Sequence, residues 1–397
     1  MRNSTEDIGQ DLLINKTNSC SNVWQSAWLF ALALFGYPLI GNAISLFQID
    51  SRLLSVPFRA TIVIFCLWLI VNSRQGKFDR LQLFMVFIWI LYIFRLLNDW
   101  LLVNLEGADY ALEFFLASSV LPAFALMRAG VYGPVQFGFI AFVISCGGAI
   151  GSLLAAVFGS SAIRELSDES GRLSLTAVDS VSLGHLAASA ILCGLAIWRV
   201  STPRTKFVVG CTFVPLSWCL VMTGSKGPAM ALVLCVGIWA MRRGYFLWFL
   251  TLVIPFIVLA LEFGDNALAL RLAGSEEDQS TADHLALVAN SISQIAGSPF
   301  FGSAFVELDS GFYPHNVFIE APMAMGIPVG ILFTGVLLVG AHRSWIILKG
   351  DNDLLGLLYF QGLLSASVSG AIFGATLLWV SLAMLPKLPT HSIRVSL

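Results

Sequence analysis

The chain is a succession of apolar runs separated by short polar stretches. A hydrocarbon core about 30 Å thick takes about 20 apolar residues in a helix. Runs that fit lie at approximately 24–47, 53–72, 81–103, 111–127, 135–158, 183–200, 207–222, 229–241, 245–263, 317–340, 354–370 and 371–386. The pattern predicts an all-α, polytopic membrane protein of about twelve transmembrane helices. The boundary near Gly370 is the least sharply marked, so a count one lower or one higher stays open. Two connections are long, about 159–182 and about 264–316. In the second, Leu285, Val288, Ile292 and Ile295 recur at helical spacing between Asp283 and Gly297, and Gly297 with Pro299 stops the pattern. That spacing predicts an amphipathic helix at the membrane surface or over a cavity.

Composition sharpens this picture. Hydrophobic residues make up 57% of the chain and charged ones 12%, with a mean hydropathy of +0.83. That is too little charge for the coat of a soluble domain of this size. The net charge of -2 offers no basic surface, so nucleic acid is not expected as a partner. The 7 cysteines show no CxxC or Cys/His spacing, which argues against a zinc site or a disulfide framework. The first 22 residues are polar and carry acids, unlike a signal peptide, so insertion is expected to rely on the first apolar run.

Lys and Arg set the orientation. With a cytoplasmic N-terminus, most of the 22 fall on the inner side, among them Arg74, Lys77, Arg80, Arg128, Arg199, Arg204, Arg242, Arg243, Arg343 and Lys349. The outer segments hold only Arg52, Arg164, Arg172, Lys226 and Arg271, and Arg59 and Arg95 lie within helices. The expected organisation is a cytoplasmic tail (1–22), one transmembrane domain (23–386) and a cytoplasmic tail (387–397). Both long loops then fall outside.

The residues able to carry chemistry gather on that outer side. His315 and Asn316 stand where the second long loop meets a helix. A histidine there can exchange a proton near neutral pH, or it can simply cap the helix. Lys226, in the turn TGSKGP with Ser225 before it, suits phosphate oxygens at a helix start, or it snorkels to the interface. Arg172 and Arg271 break the positive-inside bias, which fits an anionic ligand held by guanidinium forks or local pairs with Glu165, Asp168, Asp265 or Glu276. Arg95 and Asp99, four apart on one helix face, read as a structural pair. Arg59 lies near a helix centre, unpaired in sequence, so a buried partner is expected, and His185 sits where it could line the same cavity. Gly147, Gly148 and Gly151, and the Gly370–Gly374 GxxxG, read as helix-packing contacts.

One chemistry accounts for these features jointly. A glycan on a polyprenyl diphosphate wants cations at the outer boundary, and its acceptor hydroxyl wants a base. The segments GRLSLTAVDSVSLGH (171–185), TGSKGPA (223–229), SPFFGSAF (298–305) and PHNVFIEAPMAMGIPVG (314–330), in that order, resemble the bacterial O-antigen ligases and the related O-antigen and exopolysaccharide polymerases. The resemblance covers mainly 171–340. It implies a metal-independent, inverting glycosyltransferase of the multi-helix membrane class, without cofactor, in the bacterial inner membrane with its active site in the periplasm. His315 would be the catalytic base, Arg172, Lys226 and Arg271 the diphosphate-binding cations, and Asn316, Ser225 and Glu320 supporting residues. Relatives usually carry Ser-Arg where this chain has Ser225-Lys226, and lysine lacks the planar fork. The implied partners are an undecaprenyl-diphosphate-linked glycan, an acceptor glycan or lipid A-core, membrane lipid and a chain-length regulator protein. Ligase and polymerase stay open, with a lean to polymerase from the modest outer loop. The rival readings are a lipid-linked oligosaccharide flippase and a structural subunit of an export complex.

Overall fold

The computed structural model describes residues 22–73, 78–158, 173–175, 178–198, 200–247, 249–250, 279–350 and 353–385. The chain there is helical, and the β pairing among the described residues is a single bridge between Leu175 and Val178. In chain order the helices are α1 (Asn22–Phe35), α2 (Tyr37–Phe47), α3 (Ser51–Asn72), α4 (Arg80–Leu101), α5 (Ala108–Ala129), α6 (Pro134–Phe158) and α7 (Ser180–Trp198). They continue as α8 (Pro203–Met222), α9 (Lys226–Arg243), α10 (Gln279–Gly297), α11 (Val317–Met325), α12 (Ile327–Ile347), α13 (Asp353–Val368) and α14 (Thr376–Met384). Seven of these are long and apolar enough to cross a membrane, and the bent pair α1–α2 makes an eighth. The expected count of about twelve is therefore not reached among the described residues; α13 has 16 residues, α14 has 9, and most of the run 245–263 lies outside them.

Local chemistry sets the helix starts. The Asp50 carboxylate accepts from Arg52 N at 2.9 Å and opens α3. Asp79 and Gln82 form a reciprocal capping box at the start of α4. Thr202 caps α8, with Pro203 at its first position. Inside α5 the turn widens to π geometry over Phe115–Val120, just before Pro122, which has no N–H to give its preceding turn.

α7 is the hub, buried along most of its length. α6 reaches it and α2 through small residues: a Cβ on Gly148 would meet Leu186 at 2.9 Å, and one on Gly151 would meet Asn42 Nδ2 at 2.7 Å. Asn42 in turn donates to the Gly148 carbonyl at 2.9 Å and accepts from Ser152 Oγ at 2.7 Å. The packing role read for these glycines holds. At one end of the bundle, arginines tie helix ends together. Arg128 donates to the Ile70 carbonyl, Arg343 pairs with Asp79, and Arg243 pairs with Asp353 at 3.0 Å.

Three features depart from the hydrophobic pattern. The run 24–47 is bent by 53° at Gly36, where a Cβ would meet the Leu32 carbonyl at 2.6 Å and Pro38 restarts the helix. The run 317–340 is two helices, because Gly326 stands between them at φ 86 and Pro328 follows. The run 371–386 is helical only from Thr376 to Met384. Gly370 and Gly374 therefore lie in a non-helical turn, not on one helix face, and their reading as a GxxxG helix contact is corrected.

Candidate functional site

The segment 298–316 reaches the helices through a dense set of bonds. Arg95 donates to the carbonyls of Ser303 and Phe301, each at 2.8 Å, and its partner Asp99, fully buried, accepts from Phe305 N at 3.0 Å. The pair is structural, as its spacing suggested, and its anchor is a loop more than two hundred positions away. Ser303 N donates to the Met323 carbonyl and Ile327 N to the Pro299 carbonyl, which fastens the segment to the last turn of α11 and the first residue of α12. On the other side, Gln294 of α10 donates to the Val306 carbonyl and accepts from Leu308 N, both at 3.0 Å. The helix expected over 283–297 is present as α10, and Leu285 and Ile292 of its apolar stripe stay exposed.

This frame delivers His315. Its backbone is left-handed, with φ 54, a conformation uncommon outside glycine but tolerated by His. Asn316 follows and caps α11, its Oδ1 accepting from Phe318 N at 2.9 Å. The imidazole lies 4.4 Å from the Tyr313 ring and 4.8 Å, edge to face, from the ring of His284 on α10. Burial holds its pKa below the ordinary 6.5, the neighbouring His284 lowers it further, and the Ser369 main chain opposes both. At neutral pH the ring is thus uncharged, with a nitrogen lone pair able to accept a proton.

Beside it opens a cavity of about 740 Å³. Tyr313 and Ser369 belong to its lining, so His315 stands at its rim. One wall, from α7 and α13, is polar and carries Ser182, His185, Ser189 and Ser365. The other, from α1, α2, α3 and α5, is aromatic and apolar and includes Phe35, Tyr37, Phe58, Ile62 and Phe114. His185 lines this cavity, as expected. Its Nδ1 lies 3.0 Å from Ser365 Oγ, and its Nε2 is buried with no hydrogen-bond partner. Arg59 enters from α3 with its guanidinium 5.6 Å from the Tyr37 ring centre and 5.8 Å from that of Phe114. Two such contacts offset about 0.5–2 kcal/mol each. An arginine at the centre of a membrane helix costs about 2.5–3.5 kcal/mol.

The hairpin meets the same place. Ser225 is the buried N-cap of α9 and Lys226 its first residue. A Cβ on the next residue, Gly227, would lie 3.7 Å from Ser369 Oγ, the residue whose main chain acts on His315. A Cβ on Gly184 would meet Thr223 and Pro228, which seats the start of α7 on the hairpin. Leu173 N donates to the Met222 carbonyl at 2.8 Å, so the end of the first long loop arrives there too. Arg172 and Arg271 lie outside the described residues.

Glu320 is engaged with other partners. Its fully buried carboxylate accepts from the Tyr92 hydroxyl at 2.6 Å and from Ile372 N at 2.8 Å. It locks α11 to α4 and to the turn before α14. Three groups escaped the sequence reading: His284 as a neighbour of His315, Tyr313 as the link to the cavity, and the aromatic partners of Arg59. Each depends on contacts between distant segments, and only the aromatic at 313 was marked, by standing two residues before the histidine.

Comparison with known proteins adds one finding. Residues 211–334 match the model of a family described as O-antigen ligase. The match contains the hairpin, the 298–305 segment and the His-Asn motif. No curated protein matches the chain.

Proposed function

With residues 211–334 placing the chain in the O-antigen ligase and polymerase superfamily, we propose that this multi-pass membrane protein moves a glycan from a polyprenyl diphosphate to an acceptor hydroxyl. The observation that carries the reading is an uncharged imidazole, His315, at the rim of a cavity with one polar and one aromatic wall.

In the reaction, His315 accepts the proton of the acceptor hydroxyl. The freed oxygen attacks the anomeric carbon from the face opposite the diphosphate, so the configuration inverts. The bond to the diphosphate oxygen breaks, and its electron pair leaves with the polyprenyl diphosphate. Lys226, at the helix start beside the rim, is assigned to neutralise that leaving group, together with Arg172 and Arg271. The charge compensation makes a metal unnecessary to this scheme. The positive-inside bias places the site in the periplasm and both termini in the cytoplasm.

A polymerase passes the growing chain to the next lipid-linked unit, whereas a ligase passes it to lipid A-core. The test is a transfer assay with the purified full chain, a lipid-linked glycan and each acceptor in turn, with a chelator present. A new glycosidic product with one acceptor, undiminished by the chelator, is the expected result. Absence of product with both sinks the reading in favour of a carrier, a reading that the cavity-lining bend at Gly36 would then suit.

A further inference from the structure

Arg59 is a cation that the scheme above leaves unused. It stands eight residues into α3, hence about 12 Å from the start of that helix and about 20 Å from its end at 1.5 Å per residue. Such a helix about matches the 30 Å core, which places the guanidinium within the apolar thickness. Charges at that depth usually face a partner or a cavity. Tyr37 and Phe114 hold its ring-facing surfaces, and among the described residues no carboxylate or carbonyl takes its N–H groups. The cavity's carboxylate, Asp179, is engaged in capping α7, where it accepts from Ser182 N and Ser182 Oγ at 2.9 and 2.7 Å. His185, which lines the same cavity, carries a buried polar atom, Nε2, with no hydrogen-bond partner among the described residues. Buried polar groups are nearly always paired, so the His185 Nε2 calls for a partner from the cavity, and Arg59, exposed but lining the same cavity, offers a cation to the same ligand.

We propose that Arg59 forms an anion subsite for a phosphate of the polyprenyl diphosphate donor, bordered by His185. This assignment rests on the glycan-transfer reading and adds a cation deeper in the cavity than the rim residues. Contacts to two rings leave the guanidinium N–H groups for another partner, and a guanidinium fork grips phosphoryl oxygens in pairs. The wall around it continues as Leu34, Phe58 and Ile62, which suits the isoprenoid chain next to that phosphate. Bulk phospholipid phosphates lie in the headgroup layer outside the 30 Å core. A phosphate at the depth of Arg59 has been drawn into the protein by a chain held between helices.

The experiment is a binding titration of the full-length protein in phosphatidylcholine nanodiscs, with undecaprenyl diphosphate and undecaprenol as probes and no acceptor. Wild type is expected to prefer the diphosphate by about tenfold or more. Arg59→Gln should lose most of that preference with undecaprenol binding unchanged, and Arg59→Lys should fall between the two. Full preference in Arg59→Gln overturns the subsite alone. A wild-type preference in Arg59→Lys overturns the forked contact, whether or not the glutamine variant folds. In a third arm, loss of the wild-type preference in phosphatidylglycerol nanodiscs overturns assignment to the donor, because a net anionic lipid headgroup, which phosphatidylcholine lacks, would then fill the subsite. If wild type shows no preference at all, the glycan-transfer reading fails and the subsite with it.

Discussion

The two ends of the bundle use arginine in opposite ways. At the end that holds the inner loops of the positive-inside assignment, Arg243 pairs with Asp353, Arg343 with Asp79, and Arg128 spends a donor on the Ile70 carbonyl. Each cation there closes a joint between helices. Around the cavity at the other end, Arg59 rests on two rings and meets no acid among the described residues, the His315 ring is neutral, and His185 Nε2 has no hydrogen-bond partner. Paired charge marks scaffolding, and charge left open marks the place where a ligand completes the set. Arg95 shows that the rule follows environment and not depth alone. It lies in a membrane helix too, but Asp99 and three loop carbonyls occupy it.

The largest effect that would test this contrast is at His315. His315→Ala should lower transfer by about 10²–10⁴, the usual contribution of a general base, at unchanged protein level; normal product yield would break the assignment. Next comes the paired end. Asp353→Ala leaves Arg243, 10% exposed, without its carboxylate and should cost about 3 kcal/mol of stability in detergent unfolding. Transfer per folded molecule should be unchanged, and a loss of turnover without a loss of stability would erase the distinction between the ends. The smallest effect is a shift in pH dependence. Transfer needs neutral His315, so it is full above the lowered pKa of that ring and lost as pH falls through it, which puts the acid limb below 6.5. His284→Ala removes one of the two influences that lower it and should move the limb to higher pH. An unmoved limb would show that another group sets it.

Much of the scaffold was legible because lipid imposes a simple code: long apolar runs must be helices. The helix over 283–297, the hairpin and the Arg95–Asp99 pair were legible for the same local reason, spacing along one helix or one turn. What stayed hidden were breaks inside apolar runs. Residues 317–340 are apolar apart from Glu320 and Thr334, and hydropathy does not register that Gly326 takes a positive φ. The turn at 369–375 was hidden similarly, yet it supplies the Ile372 N–H for Glu320, the Phe373 carbonyl for Ser119 and the Ser369 main chain for His315. The position of His315 was legible, whereas its company of His284 and Tyr313 was not, since loop and α10 meet only through tertiary bonds.

Gly326 carries a consequence for anyone who surveys this protein by saturation mutagenesis. Its φ of 86 excludes other side chains, and a Cβ there would run into the Phe300 carbonyl. Position 326 should then tolerate no replacement, as completely as position 315, although it touches no reacting atom. A selection scored by product alone would rank the two together, and a parallel count of molecules reaching the membrane would separate the joint from the base.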